Sequence, residues 1–199
     1  MNLGIHPYEL IPLNLAGYVL GLGLLLGHLF ALWKSEQVKK FLLGSSRNHA
    51  LAMGTLALGL FWFFLLVAPK NLGILSSLRV SLAEFEGIRW LLQLGCPLML
   101  FLLATQVKNL LFPRALGLLM LMVAAPFLAS AYLKDPVTRV LIPIWAYAII
   151  ILGLIWVAKP YIYRNMVQWV CAEPKRWVAL CWGGAVYGLI VFLSAVIWW

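Results

Sequence analysis

Apolar and polar positions in this chain separate into long blocks rather than alternating with a short period. Six continuous apolar runs, roughly 11–33, 50–68, 90–107, 113–133, 140–158 and 177–199, are bounded by charged or turn residues. The boundaries are Lys34, the Pro69–Lys70 pair, Lys108, the Lys134–Asp135–Pro136 turn and the Lys159–Pro160 pair. Apolar runs of about 18 residues or more are long enough to cross a bilayer as helices. A closed barrel would instead show alternating segments of about ten residues. The pattern predicts an all-α polytopic transmembrane bundle of six helices, with residues 1–199 forming a single integral-membrane domain.

Two connectors are long enough to carry structure of their own. The one at 69–89 contains ILSSLRVSLAEFEG, which reads as a short amphipathic segment or lid. The one at 159–176 contains PYIYRNMVQWVCAEPKR. There Arg164, Asn165 and Gln168 share one side of a helical turn, while Ile162, Met166, Trp169 and Val170 supply much of the rest. With Pro160 near its start and Pro174 near its end, this stretch predicts a short interfacial helix between spans five and six. Pro97, Pro126 and Pro143 fall inside spans three to five, where kinks would loosen backbone bonds and shape a cavity. No internal repeat extends to their neighbours.

Composition excludes a soluble domain. Hydrophobic residues make up 64% of the chain and charged residues 11%, and the mean hydropathy is +0.98. Soluble domains are about half apolar and about a quarter charged. The net charge of +9 would suit nucleic acid, but its distribution points to a membrane surface instead. Lys34, Lys39, Lys40, Arg47, Lys108, Arg114, Lys159, Arg164, Lys175 and Arg176 lie after odd-numbered spans, against Lys70, Arg79, Arg89, Lys134 and Arg139 after even-numbered ones. Basic residues in short loops mark the cytoplasmic side, so the expectation is N-out and C-out in a bacterial-type inner membrane. The start, MNLGIHPYEL, lacks the basic n-region of a cleaved signal. The three cysteines, Cys96, Cys171 and Cys181, form no C-x-x-C, and no disulfide is expected.

The glycines of span one carry the clearest packing signal. AGYVLGLGLLLGH, residues 16–28, places Gly17 and Gly21 on one face together with Asn14 and His28, at 100° per residue. Gly23 and Gly27 form a second stripe. Small residues spaced in this way let helix backbones approach in lipid, so span one is expected to contact neighbours on two sides and to be central. Gly184 and Gly188 in span six are the expected partners. Gly153 has no glycine four residues away, so Gly21→Leu is expected to destabilise the fold more than Gly153→Leu.

His28 lies about 9 Å inside Lys34 at 1.5 Å per residue, and polar groups at such depth are candidates for function. Three readings compete: a histidine bonded to a carbonyl or polar neighbour, a ligand-pocket contact, or a haem or metal ligand. A haem b would need His28 and His49 to face each other at depths that differ by about 6 Å, so no cofactor is expected. A second set gathers at the basic face: His28, His49, Arg47, Arg114 and Arg164, with Asn48 and Asn165. If Arg114 and Arg164 hold an anionic headgroup or acidic ligand, they should converge beside the helix starts favoured by Pro113 and Pro160. Otherwise these arginines are topology signals. Asn14, His28, His49, Arg114 and Arg164 are the candidate ligand or lipid contacts.

Other chemistry is absent from the sequence. All six carboxylates lie at span ends or in loops, whereas ion-coupled carriers place acids within the membrane. There is no H-E-x-x-H, no G-x-S-x-G and no paired aspartates. Gln93, Cys96, Thr105 and Ser130 are too few for an aqueous pore. Trp33, Trp90, Trp169, Trp177, Trp198 and Trp199 sit at span ends, as interfacial belts do. The leading reading is a non-catalytic subunit or scaffold that packs with lipid or a protein partner, or with its own copies, through a basic inner face. One alternative is a small transporter or lipid-handling protein with a pocket between spans three to five. The other is a membrane enzyme or redox subunit using His28.

Overall fold

The computed structural model describes residues 6–69, 73–76, 78–106 and 110–199. Lys70, Ser77 and Lys108, and Val107 at the expected end of span three, lie outside them. The described residues form eight α-helices and no strand. They are α1 (Leu13–Trp33), α2 (Ser35–Ser45), α3 (His49–Val67), α4 (Arg89–Gln106), α5 (Leu111–Ala131), α6 (Leu141–Ala158), α7 (Pro160–Ala172) and α8 (Pro174–Ile197). Three short 3-10 turns, Gly73–Ser76, Ala83–Ile88 and Val137–Val140, lie between them.

Six of the helices, α1, α3, α4, α5, α6 and α8, are long and apolar enough to cross a membrane. The chain is a multi-pass membrane protein. Local chemistry explains several helix starts. The Asn48 side chain accepts a hydrogen bond from the Leu51 N–H at 3.0 Å and caps α3. Pro160 and Pro174 open α7 and α8, where a missing N–H breaks no helical bond.

One helix was not expected. The stretch after Trp33 reads as a polar connector, yet Ser35–Ser45 is helical, separated from α1 only by Lys34. It packs against α7 at the end of the bundle opposite the described chain termini. The connector after α3 is bonded to the end of the bundle. The Val80 N–H donates to the Leu66 carbonyl at 2.9 Å, and the Gln93 amide donates to the Val67 carbonyl at 2.8 Å. These two bonds satisfy carbonyls that the last turn of α3 leaves free.

Helix packing is set by two seams. In the first, α1 runs against α8. A Cβ at Gly21 would stand 2.6 Å from the Phe192 backbone nitrogen, and one at Gly188 would stand 2.6 Å from the Leu25 nitrogen. Such approach leaves room for hydrogen only. Gly17 faces Ala195 and the Trp199 ring in the same seam. In the second, α5 crosses α6 at Gly117 and Gly153. A Cβ on either would meet the other's carbonyl oxygen, at 2.6 Å and 2.9 Å. α3 packs on α5, and α4 packs chiefly on α3 at the margin.

Two expectations are corrected here. Gly23 and Gly27 have open space where a Cβ would stand, and Val19, Leu22, Leu26 and Phe30 around them are exposed. α1 is therefore packed mainly on one side and is not central, because the second stripe finds no complementary helix. Gly153 also meets backbone, because its partner Gly117 belongs to another helix rather than to the same one, although a Cβ there has one close atom at 2.9 Å against three at 2.6–2.8 Å for Gly21.

The seams converge on three apolar clusters. Leu13, Ala16 and Leu20 of α1 meet Ala131, Ile142 and Val191 near the chain termini. Leu56, Leu111, Phe112, Ala115, Trp156 and Tyr163 fill the space between α3, α5, α6 and α7. Val170, Trp177 and Cys181 pack with Val38 and Leu42 under α2.

Overpacking a close contact costs typically 1–3 kcal/mol. Gly21→Leu and Gly153→Leu should both lower the melting temperature in detergent, while Gly23→Leu should leave it near that of the wild type. A Gly153→Leu protein as stable as the Gly23→Leu protein would remove the second seam.

Candidate functional site

His28 is a packed and bonded side chain. Its Nδ1–H donates to the Leu24 carbonyl at 2.7 Å. The imidazole lies over Gly184, occupying the space a Cβ there would need. The ring thus fills part of the α1–α8 seam, with its Nε2 edge against the partner helix. His49 stands exposed at the first turn of α3, and the structure does not bring the two histidines together.

Arg47 is exposed in the turn between α2 and α3. Arg114 is half-buried in the first turns of α5, and Arg164 is exposed on α7. Their segments do meet: the Phe112 and Tyr163 rings sit edge to face with centroids 5.8 Å apart. The guanidinium groups share no partner among the described residues. Arg164 Nη2 instead donates to its neighbour Asn165 at 3.4 Å. Asn14, in the first turn of α1, accepts the Leu15 N–H at 2.8 Å. It lies at the opposite end of the bundle from the arginines.

A buried polar contact at the α2/α7 end has no signal in the sequence. The buried Ser45 hydroxyl donates to the Leu42 carbonyl at 2.7 Å. Ser45 Oγ also lies 2.9 Å from the Tyr163 hydroxyl, from which it accepts. Tyr163 is held from below by Trp156, with ring centroids 4.9 Å apart. Burial raises the Tyr163 phenol above its ordinary value, against the lowering effect of the Ser45 bond. It remains a neutral hydrogen-bonding group.

Basic and aromatic side chains are paired around this contact. The Lys39 ammonium sits 5.6 Å from the Trp177 ring centroid, and the Arg176 guanidinium sits 4.3 Å from that of Trp169. Trp177 is buried rather than part of an exposed belt, because Lys39 and α2 cover it. Trp33, Trp169 and Trp198 are exposed at helix ends.

At the opposite end, Glu86 joins two arginines. Arg89 donates to Glu86 through Nε at 2.8 Å and Nη2 at 2.7 Å, and Arg79 Nη2 donates to it at 2.8 Å. Arg89 is only 5% exposed and also donates to the Val80 carbonyl at 2.6 Å. The Glu86-x-x-Arg89 spacing was the signal for this pair. It ties the 78–89 connector to the start of α4 and serves structure.

Among the described residues no three His, Cys, Asp or Glu side chains gather as metal ligands do, and Cys96, Cys171 and Cys181 are free thiols. One cavity, lined by Pro126, opens between α5 and α1, and another of about 400 Å³, lined by Pro143 with Leu128 and Ala131, lies between α5 and α6, two of the three spans where a pocket was expected. No protein-family model, curated protein or solved structure matches the chain.

A buried hydroxyl left without a partner costs about 1–3 kcal/mol, whereas removing both partners is nearly neutral. Ser45→Ala, which orphans the Tyr163 hydroxyl, should therefore destabilise the protein more than the double variant Ser45→Ala/Tyr163→Phe. Unfolding midpoints in detergent give the comparison. A double variant less stable than Ser45→Ala alone would mean that the bond does not link α2 to α7.

Proposed function

We propose that the chain is a non-catalytic membrane protein, N-out and C-out in a bacterial-type inner membrane, that packs with anionic lipid or a protein partner through its basic α2/α7 face. The observation that carries this reading is the packing of α2 on α7. Two short amphipathic helices, joined by Ser45 and Tyr163, form one surface at the end where most basic residues lie. Lys40, Phe41, Tyr161, Arg164 and Trp169 are exposed on it. Aromatic rings mixed with Lys and Arg are the composition that settles at the headgroup level. With α2 and α7 lying along the inner leaflet, these side chains would reach lipid phosphates while Tyr163, Val167 and Val170 stay buried beneath.

The reading leaves His28 a structural part. One imidazole nitrogen is bonded within its own helix, and the ring is packed on Gly184. That geometry favours a seam-filling role over a ligand role.

Each basic residue near an anionic surface contributes about 1 kcal/mol to the attraction. In native mass spectrometry with mixed phosphatidylglycerol and phosphatidylcholine, the wild type should retain the anionic lipid preferentially. Arg114→Gln with Arg164→Gln should cut that preference several-fold without changing the melting temperature. An unchanged lipid ratio would reject the inner-face site.

A further inference from the structure

At the end of the bundle away from α2 and α7, the first turn of α1 borders two cavities of different character. One is a cleft of about 380 Å³ with a mixed lining, Asn14, Lys134 and Asp135 beside the Trp198 and Trp199 indoles among others. That volume falls within the ~300–1,000 Å³ usual for small-ligand sites. The other is an apolar groove of about 210 Å³ between α1 and α5, lined by Leu15, Val19, Pro126 and Phe127. The groove starts beside the cleft at Ile11 and Leu15 and extends deeper to Val19, about 7 Å beyond Asn14 along α1 at 1.5 Å per residue.

We propose that this pair of cavities binds one aminophospholipid of the phosphatidylethanolamine type, with its headgroup in the cleft and an acyl chain in the groove. Charge complementarity selects the occupant. The cleft offers a cation and an anion side by side, Lys134 and Asp135, and neither has an ion-pair partner among the described residues. A primary ammonium has N–H groups to donate to the Asp135 carboxylate, and the adjoining phosphate accepts from Lys134. The Asn14 side-chain oxygen is taken by the Leu15 N–H, which leaves its NH2 group to donate to the same phosphate. Trp199 is held in place by its indole N–H, which donates to Thr138 at 2.7 Å. A choline headgroup carries the same charges but no N–H, so it loses the Asp135 bond. A headgroup with no cation leaves Asp135 facing only the phosphate. The groove is apolar throughout, with exposed Leu15 and Val19 on its wall, as an acyl chain requires.

The test is native mass spectrometry of the full chain from micelles holding phosphatidylethanolamine and phosphatidylcholine with identical acyl chains. The wild type should retain the ethanolamine lipid over the choline lipid by roughly threefold, the scale of a partly exposed ionic hydrogen bond. Asp135→Asn should bring the ratio to near one. Val19→Trp, which fills the groove from an exposed position, should reduce retention of both lipids together. Glycerophosphoethanolamine should displace bound lipid from the wild type better than glycerophosphocholine does, a readout that needs no variant. Equal retention of the two lipids by the wild type, or a preference that survives Asp135→Asn, overturns the proposal. Arg164→Gln probes the opposite end of the bundle, and a ratio that follows Arg164 rather than Asp135 would also overturn it.

Discussion

Between helices surrounded by lipid there is no hydrophobic force to draw them together, so the α1–α8 seam holds through the closeness of two backbones. Gly21 and Gly188 let the helices approach until the Phe192 and Leu25 main-chain nitrogens stand where side chains would otherwise begin. Dispersion between single atoms is weak, but it accumulates over a long contact at short range. This seam joins the first spanning helix to the last. It brings α2, which follows α1, beside α7, which precedes α8. At the other end it sets the start of α1 beside Trp198 and Trp199. Both candidate lipid surfaces therefore depend on the same glycines.

The ends of the bundle follow a different rule. Where helices stop, backbone carbonyls and charged side chains need partners, and these are supplied from the chain itself. The connector after α3 bonds to the Leu66 carbonyl, Gln93 of α4 bonds to that of Val67, and the connector is fastened by the Glu86–Arg89 pair. At the opposite end Ser45 and Tyr163 join two helices whose outer faces carry charge. The interior between these ends is mainly glycine, aliphatic and aromatic, with Ser130, Ser194, Cys96 and Cys181 buried in it, and its one deep imidazole is bonded and packed. Such a body is suited to being held by lipid and to holding other groups at its ends.

Much of this was legible in the sequence. The six spans could be placed to within about three residues because prolines and charges punctuate an apolar chain, and helix boundaries scatter by one or two residues in any case. α7 was visible through Pro160, Pro174 and its two-sided composition. α2 was not, because SEQVKKFLLGS is polar on average and short, and what makes it a helix is contact with α7 and the Trp177 cluster. The glycines show the same limit. A glycine repeat shows that a face can be approached but not that a neighbour is there, so Gly23 and Gly27 were over-read. Gly117 and Gly153 were missed because each helix contributes only one small residue to their crossing. The cleft at Asn14 could not be foreseen either, since Lys134 and Trp199 are far from it in the chain.

The central claim is that α1 and α8 touch along the Gly17–Gly21 face and nowhere on the Gly23–Gly27 face. Oxidative cross-linking in the membrane tests it directly. With the three native cysteines replaced by serine, Gly17→Cys and Ala195→Cys should form an intramolecular disulfide rapidly. The Ala195 Cβ stands 2.6 Å from the Cβ position of Gly17, and a shift of about 1 Å gives disulfide geometry. Gly23→Cys with Ala195→Cys should stay reduced under the same oxidant. Equal cross-linking of both pairs, or none from the first, would contradict the seam and with it the placement of both ends.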